Sequence, residues 1–114
     1  MKTTQIQNLD LVRAASTFAA LGSEQRLAVL RTLVRAGPEG LTIGVLGERA
    51  GVTGSTLTHH MRILAGAGLV TQARQGRNII CVAAAYDEMR HLADFLLNEC
   101  CADAAHPAKD HHHG

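Results

Sequence analysis

Aromatic residues are nearly absent from this 114-residue chain, which has no Trp, one Tyr and two Phe. Its core must therefore be built from Leu, Val, Ile and Ala, and such a composition favours closely packed helices. No apolar stretch is long enough to span a membrane, and the N-terminus lacks the apolar run of a signal peptide. We therefore expect one globular domain that acts in the cytoplasm without a membrane partner.

Acidic residues are missing from the middle of the chain, because none occurs between Glu48 and Asp87. The formal net charge of the whole chain is only +1, so the rest of the sequence carries an excess of acids. This uneven distribution indicates one basic face that meets a polyanion, although a chance gap in acids is the alternative. The arginines of this acid-free window are Arg49, Arg62, Arg74 and Arg77.

Signatures of enzymes are missing as well. The sequence has no Cys-x-x-Cys motif, no glycine-rich nucleotide-binding loop and no paired carboxylates in a glycine-rich setting. We therefore predict that the chain is not an enzyme.

Hydrophobic periodicity predicts a mainly α fold with a small β-hairpin, in which five helices accompany a two-stranded wing. The domain is predicted over residues 1–102, followed by a flexible polar tail over residues 103–114. Ser23, Thr42 and Thr53 are expected to cap the second, third and fourth helices. The helices are predicted over residues 8–21, 24–36, 42–50, 54–66 and 86–101, and the strands over 69–72 and 78–82 with a loop over 73–77.

Two helices joined by a tight glycine turn and followed by a β-hairpin have the order of a winged helix-turn-helix, which reads double-stranded DNA. The second helix of the pair enters the major groove, so the residues near its start must be short and able to form hydrogen bonds. Arg62 suits a phosphate one turn later, and Arg74 and Arg77 of the hairpin suit the backbone or the minor groove. The alternative is a polar, solvated helix face. The candidate base-reading residues are Ser55, Thr56, Thr58 and His59.

Residues 21–82 resemble the DNA-binding core of the ArsR family of metal- and arsenic-responsive repressors. The matching stretches are Leu21–Leu27, Ser55–Met61 and Ala67–Val70, and Gly76-Arg77 falls in the wing of the family. The resemblance implies an operator-binding homodimer held together by its first and last helices. The apolar surface of those two helices agrees with this, because a single layer of core cannot cover it.

Three cysteines, Cys81, Cys100 and Cys101, are the candidate inducer site. Soft thiolates select soft acceptors, and trivalent arsenic and antimony are such acceptors. The resemblance implies either a vicinal cysteine pair at the end of the last helix or a wing-strand cysteine paired with a last-helix cysteine. The better-known family pattern has Cys-Val-Cys at the start of the third helix, and the stretch 42–47 contains no cysteine here.

Other interpretations of the cysteines stay open. Cys81 is also typical of a small buried apolar residue, and the vicinal pair is also compatible with a redox or persulfide switch. The chain could equally be a DNA-binding module without an inducer. Zinc is less favoured, because Asp87 precedes His91 by four residues rather than the two of zinc-sensing relatives. His106 and His111–His113 suit loose metal binding, a tag remnant or a solvated tail.

Overall fold

The computed structural model describes residues 2–84 and 86–104, and for residues 2–10, Tyr86 and Glu88 it describes the backbone alone. Most of the predicted tail, residues 105–114, therefore lies outside the described residues, as do His106 and the terminal histidines. The described chain forms five helices and a small antiparallel sheet, so the predicted winged helix-turn-helix fold is confirmed. The elements are α1 (Lys2–Ala20), α2 (Glu24–Ala36), β1 (Leu41–Thr42), α3 (Ile43–Ala50), α4 (Gly54–Gly66), β2 (Val70–Gln75), β3 (Asn78–Ala83) and α5 (Tyr86–Leu97).

Capping residues fix the ends of the middle helices. The Ser23 hydroxyl accepts a hydrogen bond from the Arg26 backbone N–H at 3.2 Å, and the Thr42 hydroxyl accepts one from Val45 N–H at 3.3 Å. Gly51, with φ 75°, adopts the left-handed conformation that ends α3. Thr53 occupies the N-cap position of α4, but the prediction that it caps this helix is wrong in one respect, because its side chain makes no capping hydrogen bond.

The core lies where α2, α3 and α4 meet one face of the sheet. The predicted inner face of α4 is confirmed, because Leu57, Met61 and Leu64 are all buried. Gly47 of α3 packs closely against the turn before α4 and against α4 itself, because an added Cβ would lie 2.7 Å from the Val52 carbonyl oxygen and 3.0 Å from Leu57 Cδ2. The largest completely buried side chains are Leu33, Leu46, Met61, Leu64, Leu69, Val29 and Cys81.

The sheet has three strands in the order β1-β3-β2, one more than predicted. The extra strand is β1, in which Leu41 lies opposite Cys81 and Thr42 opposite Ile80. Strands β2 and β3 are also longer than predicted, because only Gly76 and Arg77 remain in the turn. Gly76, with φ 63°, occupies the first central position, where a two-residue hairpin turn favours glycine.

Two predicted helix ends are wrong. Helix α1 begins at Lys2 rather than residue 8, because its polar first turns carry no apolar periodicity to reveal them. Helix α5 ends at Leu97 rather than Cys101, and the chain continues in tight turns closed by hydrogen bonds from Cys100 N–H to Leu97 O and from Ala102 N–H to Glu99 O, both at 3.0 Å. Within the described ranges, every helix is too short or too polar to cross a bilayer.

Candidate nucleic-acid interface and thiol site

The exposed face of α4 carries most of the predicted DNA contacts. Ser55, Thr58 and His59 are exposed, and Arg62 continues the same face one turn further along. Thr56 is exposed as well, beside Ser55 in the first turn. The buried residues of α4 anchor the opposite face in the core. The helix therefore presents short polar side chains and one arginine outward, as a groove-reading helix requires.

The start of α4 is suited to bind an anion. The first turn contains no acidic residue, and the Thr53 side chain does not cap it. Backbone N–H groups at such a helix end attract phosphate through hydrogen bonds and the helix dipole.

The β2–β3 hairpin supplies the predicted wing. Arg74 is exposed on β2 opposite Ile79, and Arg77 is exposed in the turn. A groove of about 320 Å³ separates the hairpin from α4, and its lining includes Thr58, Arg62 and Gln72. The sequence prediction did not include Gln72 among the site residues. Its only signal in the sequence is a polar side chain in the first strand of the hairpin.

His60 lies under the recognition face and is 7 % exposed. Its Nε2 lies 2.8 Å from the Gln25 side-chain oxygen, and its Nδ1 lies 3.4 Å from Arg26 Nη1, so side chains rather than backbone carbonyls contact the ring. Burial lowers the pKa of His60, and the positive charges of Arg26 and His59 lower it further. His60 is therefore neutral near pH 7.

Cys100 and Cys101 lie together in the turns after α5. Their Sγ atoms are 3.4 Å apart, Cys100 is exposed, and Cys101 is half-buried. On a helix, adjacent side chains point about 100° apart. The two sulfurs can meet because α5 ends before Cys100. The hydrogen bond with Cys100 raises the pKa of Cys101, and burial and the charge of Cys100 raise it further.

Cys81 lies apart from this pair in the hydrophobic core. It is completely buried in the central strand β3, and this burial raises the pKa of its thiol. Among the residues that the structure describes, no three His, Cys, Asp or Glu side chains come close enough together to hold a metal ion. Cys81, Cys100 and Cys101 therefore do not form a three-thiolate site within one chain, and Cys81 fits the interpretation of a small apolar core residue.

The arrangement of α3, its glycine turn, α4 and the hairpin defines a winged helix-turn-helix regulator that binds DNA. Residues 21–73 match a family model described as a helix-turn-helix domain. The chain belongs to the ArsR family of winged helix-turn-helix transcriptional regulators. Its relatives are regulators, which places the chain among regulators rather than enzymes, as predicted.

Two relatives share more than a third of their aligned residues with this chain. The uncharacterized HTH-type transcriptional regulator YceK of Bacillus subtilis is 38% identical over 74 residues, covering 65% of this chain and 72% of the relative. The HTH-type transcriptional regulator NmtR of Mycobacterium tuberculosis is 38% identical over 94 residues, covering 82% of this chain and 72% of the relative.

Solved structures share the fold. An ArsR-like transcriptional regulator from Rhodococcus sp. RHA1 matches with a TM-score of 0.69 and 30% identity, over 82% of this chain and 83% of the other. A Mycobacterium bovis domain, described as a homodimeric winged helix-turn-helix DNA-binding domain, matches with a TM-score of 0.63 and 23% identity, over 84% and 88% of the two chains. The second match supports the fold alone.

Proposed function

We propose that this chain is a homodimeric cytoplasmic repressor that releases operator DNA when a trivalent arsenic or antimony species binds the thiolates of Cys100 and Cys101. The observation that carries the inducer assignment is the 3.4 Å separation of the two Sγ atoms in a turn outside any helix. The family assignment supports the repressor role, and the DNA contacts and the inducer are the proposed part.

The surface of α4 and the wing supports operator binding. Ser55, Thr56, Thr58 and His59 face base edges when α4 enters the major groove, and Arg62 meets a phosphate. Arg74 and Arg77 of the hairpin extend the basic surface along the duplex. The segment between Glu48 and Asp87 contains no carboxylate that would repel the DNA phosphates.

Exposed apolar residues on the first and last helices support the homodimer. Val12 is 66% exposed on α1, and Leu97 is 67% exposed at the end of α5, which is a large cost for a chain that stays alone in water. The two helices contact each other within one chain, so their apolar faces adjoin. A two-fold partner buries both faces and sets the two recognition helices roughly 34 Å apart. The exposed apolar residues of these helices are Leu11, Val12, Phe18, Met89, Leu96 and Leu97.

Two adjacent thiols suit a trivalent acceptor. Each thiol replaces one hydroxide on the arsenic or antimony, an As–S bond forms, and the thiol proton leaves with the hydroxide as water. The third position keeps a hydroxide in an inorganic species or a carbon substituent in an organoarsenical. Cys81 has no part in this proposal, because burial in β3 both shields its sulfur and disfavours its thiolate.

The test is a binding titration with a labelled duplex taken from upstream of the chain's own reading frame. Fluorescence anisotropy follows release of the protein by arsenite, antimonite, a trivalent phenylarsenical and zinc. We expect release by the arsenic and antimony species, loss of this response in Cys100→Ser and Cys101→Ser, and an intact response in Cys81→Ala. Mass spectrometry of the same samples counts one arsenic and two blocked thiols per chain.

Three outcomes contradict parts of the proposal. Release by none of these species, or release that persists without both vicinal thiols, overturns the inducer assignment. If only a persulfide or a peroxide releases the DNA, and does so through the same thiols, the inducer is a redox signal rather than arsenic. Absence of salt-sensitive binding to any duplex overturns the operator-binding role itself.

A further inference from the structure

Arg26 joins three helices through its guanidinium group. Its Nε donates a hydrogen bond to the Ala20 carbonyl oxygen at 2.6 Å, and Nη2 donates one to Ala19 O at 3.4 Å, so that it closes the end of α1. Its Nη1 lies 3.4 Å from Nδ1 of His60 on α4. Arg26 itself belongs to the first turn of α2, which makes it a physical link between the end of α1 and the recognition helix.

The chemistry of the partners determines where the His60 proton resides. A guanidinium group only donates hydrogen bonds, so Nδ1 of His60 must accept from Arg26. The other ring nitrogen, Nε2, then carries the proton and donates to Gln25 Oε1 at 2.8 Å. Every ring nitrogen is satisfied in this neutral form, and a second proton on Nδ1 would face the Arg26 N–H group.

We propose that Gln25, Arg26 and His60 form a positioning junction that holds the recognition helix against the end of α1, and that the junction persists only while His60 is neutral. The proposal rests on the DNA-binding role of α4. His60 lies between His59 and Arg62 on that helix, so a shift of its ring displaces side chains on the opposite, outward face. In this proposal the three residues affect DNA binding through the placement of α4.

The charges around His60 oppose its protonation. Arg26 faces it from α2, and the ring of His59 on its own helix lies at a centroid distance of 5.8 Å. Helix α1 contributes the carbonyl groups of Ala19 and Ala20, which bind Arg26 rather than the imidazole. A charged His60 therefore meets basic neighbours in a buried setting, and the hydrogen bond to Arg26 breaks.

His59 gives the experiment an internal contrast. It is exposed on the DNA-facing side of α4, whereas His60 is buried. The contacts with Gln25 and Arg26 belong to His60. Substitution of His60, and not of His59, should therefore remove the loss of DNA affinity that accompanies disruption of the junction at low pH.

The experiment measures the affinity of the full chain for the same upstream duplex between pH 5 and pH 8. We expect the ratio of wild-type to His60→Asn affinity to fall by up to about tenfold for each pH unit below the His60 pKa. His60→Gln is the second variant, since neither amide can gain a proton. His59→Asn is the matched control, and it should leave the His60-dependent loss in place.

Arg26 has its own variant and control. Arg26→Lys keeps the charge but cannot reach α1 and His60 together, so we expect about tenfold weaker binding at pH 7.5. Arg31→Lys, at an exposed position on the same helix, should change affinity less than twofold. Circular dichroism at each pH verifies that a weakened variant is still folded.

Nitrogen-15 NMR of the histidine rings tests the junction without DNA. We expect the neutral Nε2–H form of His60 at pH 7.5 and a titration midpoint below the ordinary value of 6.5. An Nδ1–H form, a midpoint at or above the ordinary value, or a pH profile unchanged in His60→Asn and His60→Gln overturns the junction. Failure of the wild type to bind any duplex overturns the proposed function instead, and the NMR result then still decides on the junction.

Discussion

Cys101 has a positive φ of 66°, which no other non-glycine residue shows in the described part of the chain. A left-handed backbone costs a side chain with a Cβ atom roughly 1–2 kcal/mol, and glycine or asparagine usually occupies such positions. Here the turn brings the Cys101 sulfur back to Cys100. The strained residue thus coincides with the one place where two sulfurs meet, which is the relation expected of a functional turn.

The protonation of this pair distinguishes arsenic from zinc. The hydrogen bond with Cys100 holds the pKa of Cys101 above its usual value, so the Cys101 thiol is mainly protonated at neutral pH. When neutral arsenous acid binds, two As–S bonds replace two As–O bonds, and the two thiol protons leave with the two hydroxides as water. No proton is released into solution. Zinc displaces the two thiol protons into solution. We expect arsenite affinity to change little between pH 6 and pH 8, and zinc affinity to rise by up to about a hundredfold per unit.

Isothermal titration at several pH values measures both affinities. The Cys100→Ser variant supplies the control. It keeps a single thiol of the pair, so it should lose most of its affinity for arsenite at every pH. A steep rise of arsenite affinity with pH would show that the bound species is not the one proposed here.

Close packing of α3 against α4 depends on Gly47, and α3 contains its own control. An added Cβ at Gly47 would lie 2.7 Å from Val52 O and 3.0 Å from Leu57 Cδ2, whereas one at Gly44 would meet nothing within 4 Å. We expect Gly47→Ala to lower the free energy of unfolding by about 1–3 kcal/mol, because backbone must move. Gly44→Ala should raise it by up to about 1 kcal/mol through helix propensity.

Urea unfolding followed by circular dichroism gives both values. If the two alanines stabilise the chain equally, the contact between α3 and α4 is looser than the structure shows.

The elements that local rules specify were predictable from the sequence, and those that depend on distant partners were not. Ser23 and Thr42 mark helix starts by their own side chains, and Gly51 marks a helix end by its backbone. Strand β1 has only two residues and exists because Leu41 pairs with Cys81, which no local pattern records. Missing β1 made Cys81 look like part of an isolated wing, whereas it lies in the central strand.

The same reasoning explains the outcome at the candidate sites. The polar face of α4 follows from helical spacing alone, so its exposure was predictable. The end of α5 was not, because Leu96, Leu97 and the following Cys100 continue a helical pattern that the chain abandons. The contact of His60 with Gln25 and Arg26 joins residues more than thirty positions apart and has no sequence signature.

At the scale of the whole molecule, apolar side chains are exposed on α1 and α5, and the proposed dimer would bury them. We expect Leu96→Glu, at a residue 61% exposed, to convert the dimer to a monomer at micromolar concentration, because a buried charge without a partner is costly. Duplex affinity should fall with it, since two half-sites no longer bind together. Light scattering after gel filtration measures the mass.

Glu39→Lys, at an exposed loop position, should leave the dimer intact. A wild-type chain that is monomeric at the same concentration would contradict the proposed assembly, and a dimer that survives Leu96→Glu would place its interface elsewhere.

Strand β1 and the core around β3 divide the cysteine sulfur atoms of this protein into two groups. The sulfur of Cys81 is sealed inside, and those of Cys100 and Cys101 lie beyond the last helix. An electrophile that reaches the outer pair therefore leaves the interior chemically untouched. Repeated modification and repair of Cys100 and Cys101 need not destabilise the folded core.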